Sequence, residues 1–415
     1  MSEPANALFE ERKQRIAQAV ALEPLERPPF LPFMQFFPKQ YIDATHQQMM
    51  YDYELLARAH QSAILDLQPD AYNHPFPITA LGPLMDILSP NIFRWPGKKL
   101  TADQPYQYVE GEYMKAEEYD DFIFDPTDFM WRIFLPRAYK ALEPLKNLSY
   151  TTGSFYTRFM SALSVFSRSD VSNAFQALSR ASEQASALVD RTTQFAAEMQ
   201  RLGFPIQFGG LANAPFDYIG DLLRGTQGIF LDMFRCPDKL QEAMNKALKI
   251  QVKGAEAACQ ATGNPYVFIP LHKGNDRFMS IEHFKTFYWP TLKQLIDDLV
   301  DRDLVPSPFW ESECTSRLEI IADVPPRKVI YMFEATDIFR AKEVLGDIVC
   351  IRGNVPASLL CLGTPDEVKD YCRTLIEKVG KNGGFILDGG VGIPDEAKLE
   401  NARAMAEVVR DFKAD

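Results

Sequence analysis

No stretch of this chain approaches the roughly 18 uninterrupted apolar residues that a membrane-spanning helix needs. The first residues, MSEPANALFEERKQRIAQAVAL, are charged and helical in pattern and lack the apolar centre of a signal peptide. No block of like charge occurs, although the net charge is -12, so the sequence carries no electrostatic footprint for nucleic acid. The six cysteines, Cys236, Cys259, Cys314, Cys350, Cys361 and Cys372, form no CxxC pair. Scattered thiols of this kind suit a reduced, cytoplasmic protein better than a disulfide framework. No GxGxxG follows an apolar run, which removes support for dinucleotide binding. Histidine is scarce, at five residues.

What is present is the composition of a folded domain: 415 residues, 46% hydrophobic and 24% charged. Short apolar runs recur at 30–34, 63–67, 205–208, 267–271, 304–310, 329–333, 348–351 and 385–387. Most are continuous rather than alternating, the pattern of strands buried on both faces of a parallel sheet. Helical patterns separate them. Ser280 is placed to cap the helix that follows it, and Thr364-Pro365-Asp366-Glu367 reads as a capping box with proline at the first helical position. Residues 170–200, 337–345 and 398–412 carry apolar positions at helical spacing.

Alternating β and α units in this number predict an α/β protein, a single (β/α)8 TIM barrel over 1–415, with an open doubly wound sheet as the structural alternative. Residues 1–25 read as an N-terminal helical extension. Residues 70–165 fit the repeat poorly and read as a long βα-loop insertion over the barrel mouth.

In such a barrel the residues just past each strand face the reaction site. Here those positions hold Asn213, His272, Asp276, Glu311, Cys314, Glu334, Arg352, Asn354 and Asp388. His272, directly after a buried run and with Glu311 expected on the next strand, is a candidate for acid–base chemistry, with Asp276 orienting it. Arg352, Asn354, Asp388, Glu334 and Asn213 are candidates to bind polar substrate groups. His272, Glu311 and Cys314 form a candidate zinc set, although no HExxH or CxxC spacing fixes it.

Several segments carry a resemblance: ADQPYQYVEGEYMKAEEYDDFIFDPTDF, FMSIEHFKTFYWPTLKQLI, ESECTSRLEII and GGFILDGGVGIP, with the pattern GNVxxxxLxxGTPxEV at 353–368. Together they resemble the uroporphyrinogen decarboxylase-like superfamily, over about residues 23–409. The resemblance implies a (β/α)8 barrel and either decarboxylation or corrinoid-dependent methyl transfer. Two departures matter. The true decarboxylase has an arginine-bearing segment near its N-terminus, whereas ERPPFLPFMQFFPKQYI has Gln35 and Phe37 and no arginine after Arg27. The zinc thiol methyltransferases have His-x-Cys after one strand and a distant Cys before Gly-Ile-Pro, whereas this chain has Glu311-Ser312-Glu313 and Val391.

The expected activity is therefore that of a methyltransferase or demethylase acting with a corrinoid (cobalamin) on a partner protein. A cofactor-independent decarboxylase of a non-porphyrin substrate is the alternative, and a non-catalytic binding barrel is the third reading. Neither a nucleic acid nor a membrane is an expected partner, and a homodimer is left open.

Overall fold

The computed structural model describes residues 3–97, 100–148 and 157–412. Residues 1–2 of the expected N-terminal extension, and 98–99 and 149–156 of the expected insertion, lie outside the described residues. Six strands form one parallel sheet in sequence order: β3 (Gly210–Leu211), β4 (Tyr266–Leu271), β5 (Val305–Trp310), β6 (Ile330–Phe333), β7 (Cys350–Val355) and β8 (Phe385–Gly389). A separate antiparallel hairpin joins β1 (Phe93–Arg94) to β2 (Gln107–Tyr108).

Two further segments close the ring. Phe30 bridges Leu387 in parallel, and the Leu31 N–H donates to the Leu387 carbonyl at 3.1 Å. On the other side the Asp70 N–H donates to the Phe30 carbonyl at 2.9 Å. Tyr72 in turn bridges Ile206, just ahead of β3. Six strands and these two segments make a continuous hydrogen-bonded circuit, the barrel that the βα alternation predicts.

Two expectations fail. Residues 63–67 are the end of a helix, Tyr53–Leu67, not a strand. Leu56, Ala57, Ala59, His60, Ala63, Ile64 and Leu67 are its buried positions. That helical period over fifteen residues outweighs five locally apolar ones. The second barrel segment is instead 70–72. Strand β7 also runs on to Val355, past the expected end at 351, so Arg352, Gly353 and Asn354 lie within it. Their polarity reads as a loop, but each is buried.

The strands read as continuously apolar because both faces are covered. Val267, Ile269, Trp310, Tyr331, Phe333, Ile351, Phe385 and Leu387 belong to the core between sheet and helices. Their alternates Ile330, Met332, Cys350 and Ile386 fill the barrel with Leu31 and Ala71, packed by Phe208, Tyr266, Phe268, Val305 and Phe309. Side chains alternate faces with a period of two along a strand. The inward series therefore continues through Arg352, Asn354 and Asp388, and beyond the strand ends to His272, Glu311 and Glu334.

The N-terminal helix, Glu3–Val20, packs Ile16, Ala19 and Val20 into the same interior cluster at the opposite end from His272, Glu311 and Glu334. Asp70 anchors it. This buried carboxylate accepts from Arg27 at 2.8 and 2.9 Å, from Arg15 and from the Phe30 N–H at 2.9 Å. Arg27 is thereby fully engaged in the scaffold. The hairpin β1–β2 crosses the strand ends: Gln35 donates to the Tyr106 hydroxyl at 2.9 Å, and the Tyr108 hydroxyl donates to the Asp221 carbonyl. Among the described residues no helix is long and apolar enough to cross a membrane.

Candidate active site

His272 follows β4 at the C-terminal end of the barrel, and its ring sits between two carboxylates. Nδ1 lies 2.5 Å from Asp221 Oδ2, and Nε2 lies 3.5 Å from Glu311 Oε1. The pair His272 and Glu311 expected from the sequence is thus brought together. β4 and β5 pair with Leu271 opposite Trp310, which puts the next residue of each strand at one level.

The orienting residue is not Asp276. That carboxylate accepts from Ser316 at 2.7 and 3.1 Å and from Arg317 at 2.9 Å, so it ties the loop after β4 to the loop after β5. Asp276 belongs to the scaffold because its side chain is already committed there. Asp221 orients His272 instead, and also pairs with Lys273 Nζ at 2.6 Å. Behind both lies Asp217, 1% exposed, which accepts from the His272 N–H at 2.9 Å, the Lys273 N–H at 3.1 Å and the Tyr288 hydroxyl at 2.6 Å. The sequence reading missed Asp217, Asp221, Lys273 and Tyr288. Asp217 and Asp221 stand four apart on one helical turn after β3, a spacing that puts them on one face. Nothing in that spacing ties them to a histidine fifty residues on.

Burial by itself would lower the His272 imidazole. Hydrogen bonds to Asp221 and Glu311, with the charge of Asp217, more than offset this and push it up to about 11. Asp221 is opposed by burial but held below the usual carboxylate range by His272 and Lys273. Asp217 is raised, first by burial and then by the charge of Asp221. The site therefore presents an imidazolium at neutral pH. This predicts that the His272 ring, followed by NMR, titrates far above 6.5. Asp221→Asn should bring the midpoint down and Asp276→Asn should leave it in place; an unchanged midpoint in Asp221→Asn would remove Asp221 from the orienting role.

The other sequence candidates divide. Glu334 lies at the end of β6 and accepts the Ser312 N–H at 2.6 Å. Asn354 is beside it, donating from Nδ2 to the Thr336 carbonyl at 3.0 Å and the Glu334 carbonyl at 3.3 Å. Asn213 is tethered away, to Gln251 of the helix Pro237–Thr262, through its backbone N–H at 2.8 Å and its side chain at 3.4 Å.

Arg352 and Asp388 are bonded to one another inside the barrel. Both are 1% exposed, and Arg352 donates to Asp388 at 2.8 and 3.0 Å, to the Leu31 carbonyl at 2.6 Å and to Gln207 at 2.9 Å. Arg352 borders a cavity of about 920 Å³ at the other end of the barrel, against the N-terminal helix, with Leu31, Tyr266 and Ile330. Its guanidinium is a crosslink inside the barrel.

The candidate zinc set is not gathered around one point: both nitrogens of His272 face carboxylates, those of Asp221 and Glu311. Cys314 Sγ instead faces the Glu311 carbonyl at 3.9 Å. Among the described residues no group of three or more His, Cys, Asp or Glu side chains is arranged to hold a metal. Beside the His272 cluster, Phe33, Phe268 and Phe309 stack along the barrel interior, with centroids 5.7 Å apart for the first pair and 6.3 Å for the second. All three rings are half-buried. The arrangement is an apolar floor with a proton donor at its edge.

Comparison with known proteins bears on this barrel. Residues 164–412 match the family model described as "Uroporphyrinogen decarboxylase (URO-D)". A uroporphyrinogen decarboxylase of Methylococcus capsulatus is 24% identical over 222 residues, 51% of this chain and 61% of that protein. One from Chlorobium phaeovibrioides is 26% identical over 140 residues, 33% of this chain and 39% of that protein. These matches span less than two thirds of the relatives' own length. A solved structure titled "methyltransferase from Methanosarcina mazei" superposes with a TM-score of 0.64 at 15% identity, covering 97% of this chain and 98% of that one. At that identity the likeness concerns the fold.

Proposed function

This chain belongs to the uroporphyrinogen decarboxylase (URO-D) family, and on that premise we propose that it moves a methyl group between a small organic substrate and a corrinoid carried by a partner protein. The observation that carries the proposal is the His272 ring, clamped between the carboxylates of Asp221 and Glu311 beside an apolar floor. A methyl group leaves a heteroatom only when the electron pair left behind is stabilised. Protonation by a positioned acid does this, and contributes about 10²–10⁴-fold to such a step. The corrinoid would supply the methyl acceptor, or the donor in reverse.

The chain's own residues would do the rest. Phe33, Phe268 and Phe309 hold the apolar part of the substrate and exclude water. His272 passes its Nε2 proton to the heteroatom as the bond to the methyl carbon breaks. Asp221 keeps the ring oriented through Nδ1, Glu311 stabilises the charged ring, and the ring regains its proton from solvent once the product has left.

Recognition of an acid-rich porphyrinogen would need free guanidinium groups for its carboxylates. Arg27 is bound to Asp70, Arg352 to Asp388, and Arg317 to the Gly274, Asn275 and Met279 carbonyls. This favours methyl transfer over the porphyrinogen reaction. A decarboxylase of another substrate is the second reading, because an imidazolium can also protonate a carbanion and the curated relatives are decarboxylases.

One experiment separates the two. Purified protein with methylcob(III)alamin and a panel of heteroatom acceptors should show the cobalt spectrum change with the right acceptor. Release of carbon dioxide in the absence of any corrinoid, with no spectral change across the panel, would replace methyl transfer by the second reading.

A further inference from the structure

Glu311 meets His272 just before the chain turns sharply away. β5 ends at Trp310, and two residues later Ser312 has a φ of 65°, in the left-handed region. Residues with a Cβ are uncommon there, and one that stays there is held by its surroundings. The loop after β6 does the holding. The Ser312 N–H donates to Glu334 Oε2 at 2.6 Å, and the Ala335 N–H donates to the Ser312 carbonyl at 3.4 Å. The Cys314 N–H donates to Thr336 Oγ1 at 3.1 Å. That loop is fixed in turn to β7, where Asn354 Nδ2 donates to the Glu334 and Thr336 carbonyls. Among the bonds on the turn, the one to the Glu334 carboxylate is charge-assisted, the stronger kind.

We propose that Glu334 is a positioning residue: its carboxylate holds the turn at Ser312 and so keeps Glu311 against Nε2 of His272. The sheet order explains why the help comes from there. β5 lies between β4 and β6, and Trp310 pairs with Phe333, so Glu311 and Glu334 leave the sheet side by side. Glu334 therefore acts from the β6 side of β5 on a contact made on its β4 side, 3.5 Å from Glu311 Oε1 to the ring. This role takes Glu334 out of the set of candidate substrate ligands. Its worth to catalysis rests on the methyl-transfer reading, in which Glu311 stabilises the charged ring. The contact itself is measured without substrate or corrinoid.

The test follows the titration midpoint of the His272 ring by NMR on the full chain, a midpoint that Glu311 helps to raise. The other charged groups at the ring, Asp217, Asp221 and Lys273, are the same in every variant. Glu311→Gln sets the full effect of losing the contact. Glu334→Ala should lower the midpoint in the same direction, by about one pH unit or more, a tenfold loss of proton affinity. Glu334→Gln keeps an acceptor for the Ser312 N–H and should stay close to the native midpoint. Ser312→Val puts a branched Cβ in the left-handed region and alters no charge, yet should lower the midpoint as Glu334→Ala does. Ser312→Gly, at ease in that region, should not. An equal fall in Glu334→Gln and Glu334→Ala would make Glu334 a simple neighbouring charge and overturn the positioning role. A midpoint unmoved by both Glu334→Ala and Ser312→Val would overturn it too. Urea unfolding of each variant identifies any that lose the fold, and the glutamine–alanine comparison decides the matter if Ser312→Val is one of them. If the midpoints follow the expected order while the cobalt spectrum never changes, the positioning role stands and the methyl-transfer reading falls. A cobalt change with midpoints out of that order separates them the other way.

Discussion

His272→Gln should lower turnover by about 10²–10⁴-fold, because it removes the positioned acid while leaving a side chain of similar reach. The pH dependence is the sharper part of this expectation. The folded value of about 11 lies above the ordinary 6.5 of an unfolded histidine. A group raised on folding contributes stability that is complete below its unfolded value and is lost as pH rises through its folded one. The contribution from His272 is therefore full below about 6.5 and declines towards 11. Asp221, held low, has the opposite sense: its contribution is present above the unfolded carboxylate range and is lost as pH falls through its folded value. Between these limits both partners are charged. The rate of the native enzyme should accordingly stay flat across neutral pH, with no inflection near 6.5. A rate that falls steadily as pH rises through 6–8 would show that His272 titrates normally, and the clamp by Asp221 and Glu311 would lose its assigned effect. The glutamine variant should bind substrate with little change in KM, since the loss falls on the chemical step.

Arg352→Met should destabilise the fold by about 3–5 kcal/mol, the usual effect of deleting one partner of a buried ion pair. The reason is what is left behind. Asp388 is buried, and with Arg352 gone its remaining donors are the backbone N–H groups of Phe33 at 3.2 Å and Gly389 at 2.7 Å. Burial already raises this carboxyl against the pull of Arg352. Removing the guanidinium raises it further. By the same sign rule, the variant should be least stable at neutral pH and should recover part of the loss as acid protonates Asp388. Urea unfolding at two pH values reads both the size and the direction. Arg352→Met combined with Asp388→Leu should regain much of the deficit, because a matched apolar pair leaves no buried charge. If Arg352→Met instead leaves the unfolding midpoint unchanged and raises KM alone, Arg352 is a substrate-binding residue after all.

Arg352 also shows where reading along the chain stops. Its position after an apolar run is visible in the sequence, and so is its inward parity. That it is spent inside the barrel on Asp388, Gln207 and Leu31 depends on strands far apart in the chain. Asp276 repeats the lesson: four residues from His272, it is bonded instead to Ser316 and Arg317. Asp221, fifty-one residues away, reaches the ring because the end of β3 abuts the end of β4.

The sequence by itself determined the barrel, its N-terminal helix, the capped helices and the level at which His272 and Glu311 face one another. All of these follow from local periodicity: continuous apolar runs for strands covered on both faces, a period of 3.6 for helices and a period of two for the inward row. Tertiary structure alone decided which polar residues are free to act. Charges pair with whatever neighbour the ring of strands delivers, and that geometry is long-range. It assigned Arg352 and Asp388 to the scaffold, gave His272 its carboxylates, and left Asn354 with an acceptor that nothing in the described chain fills.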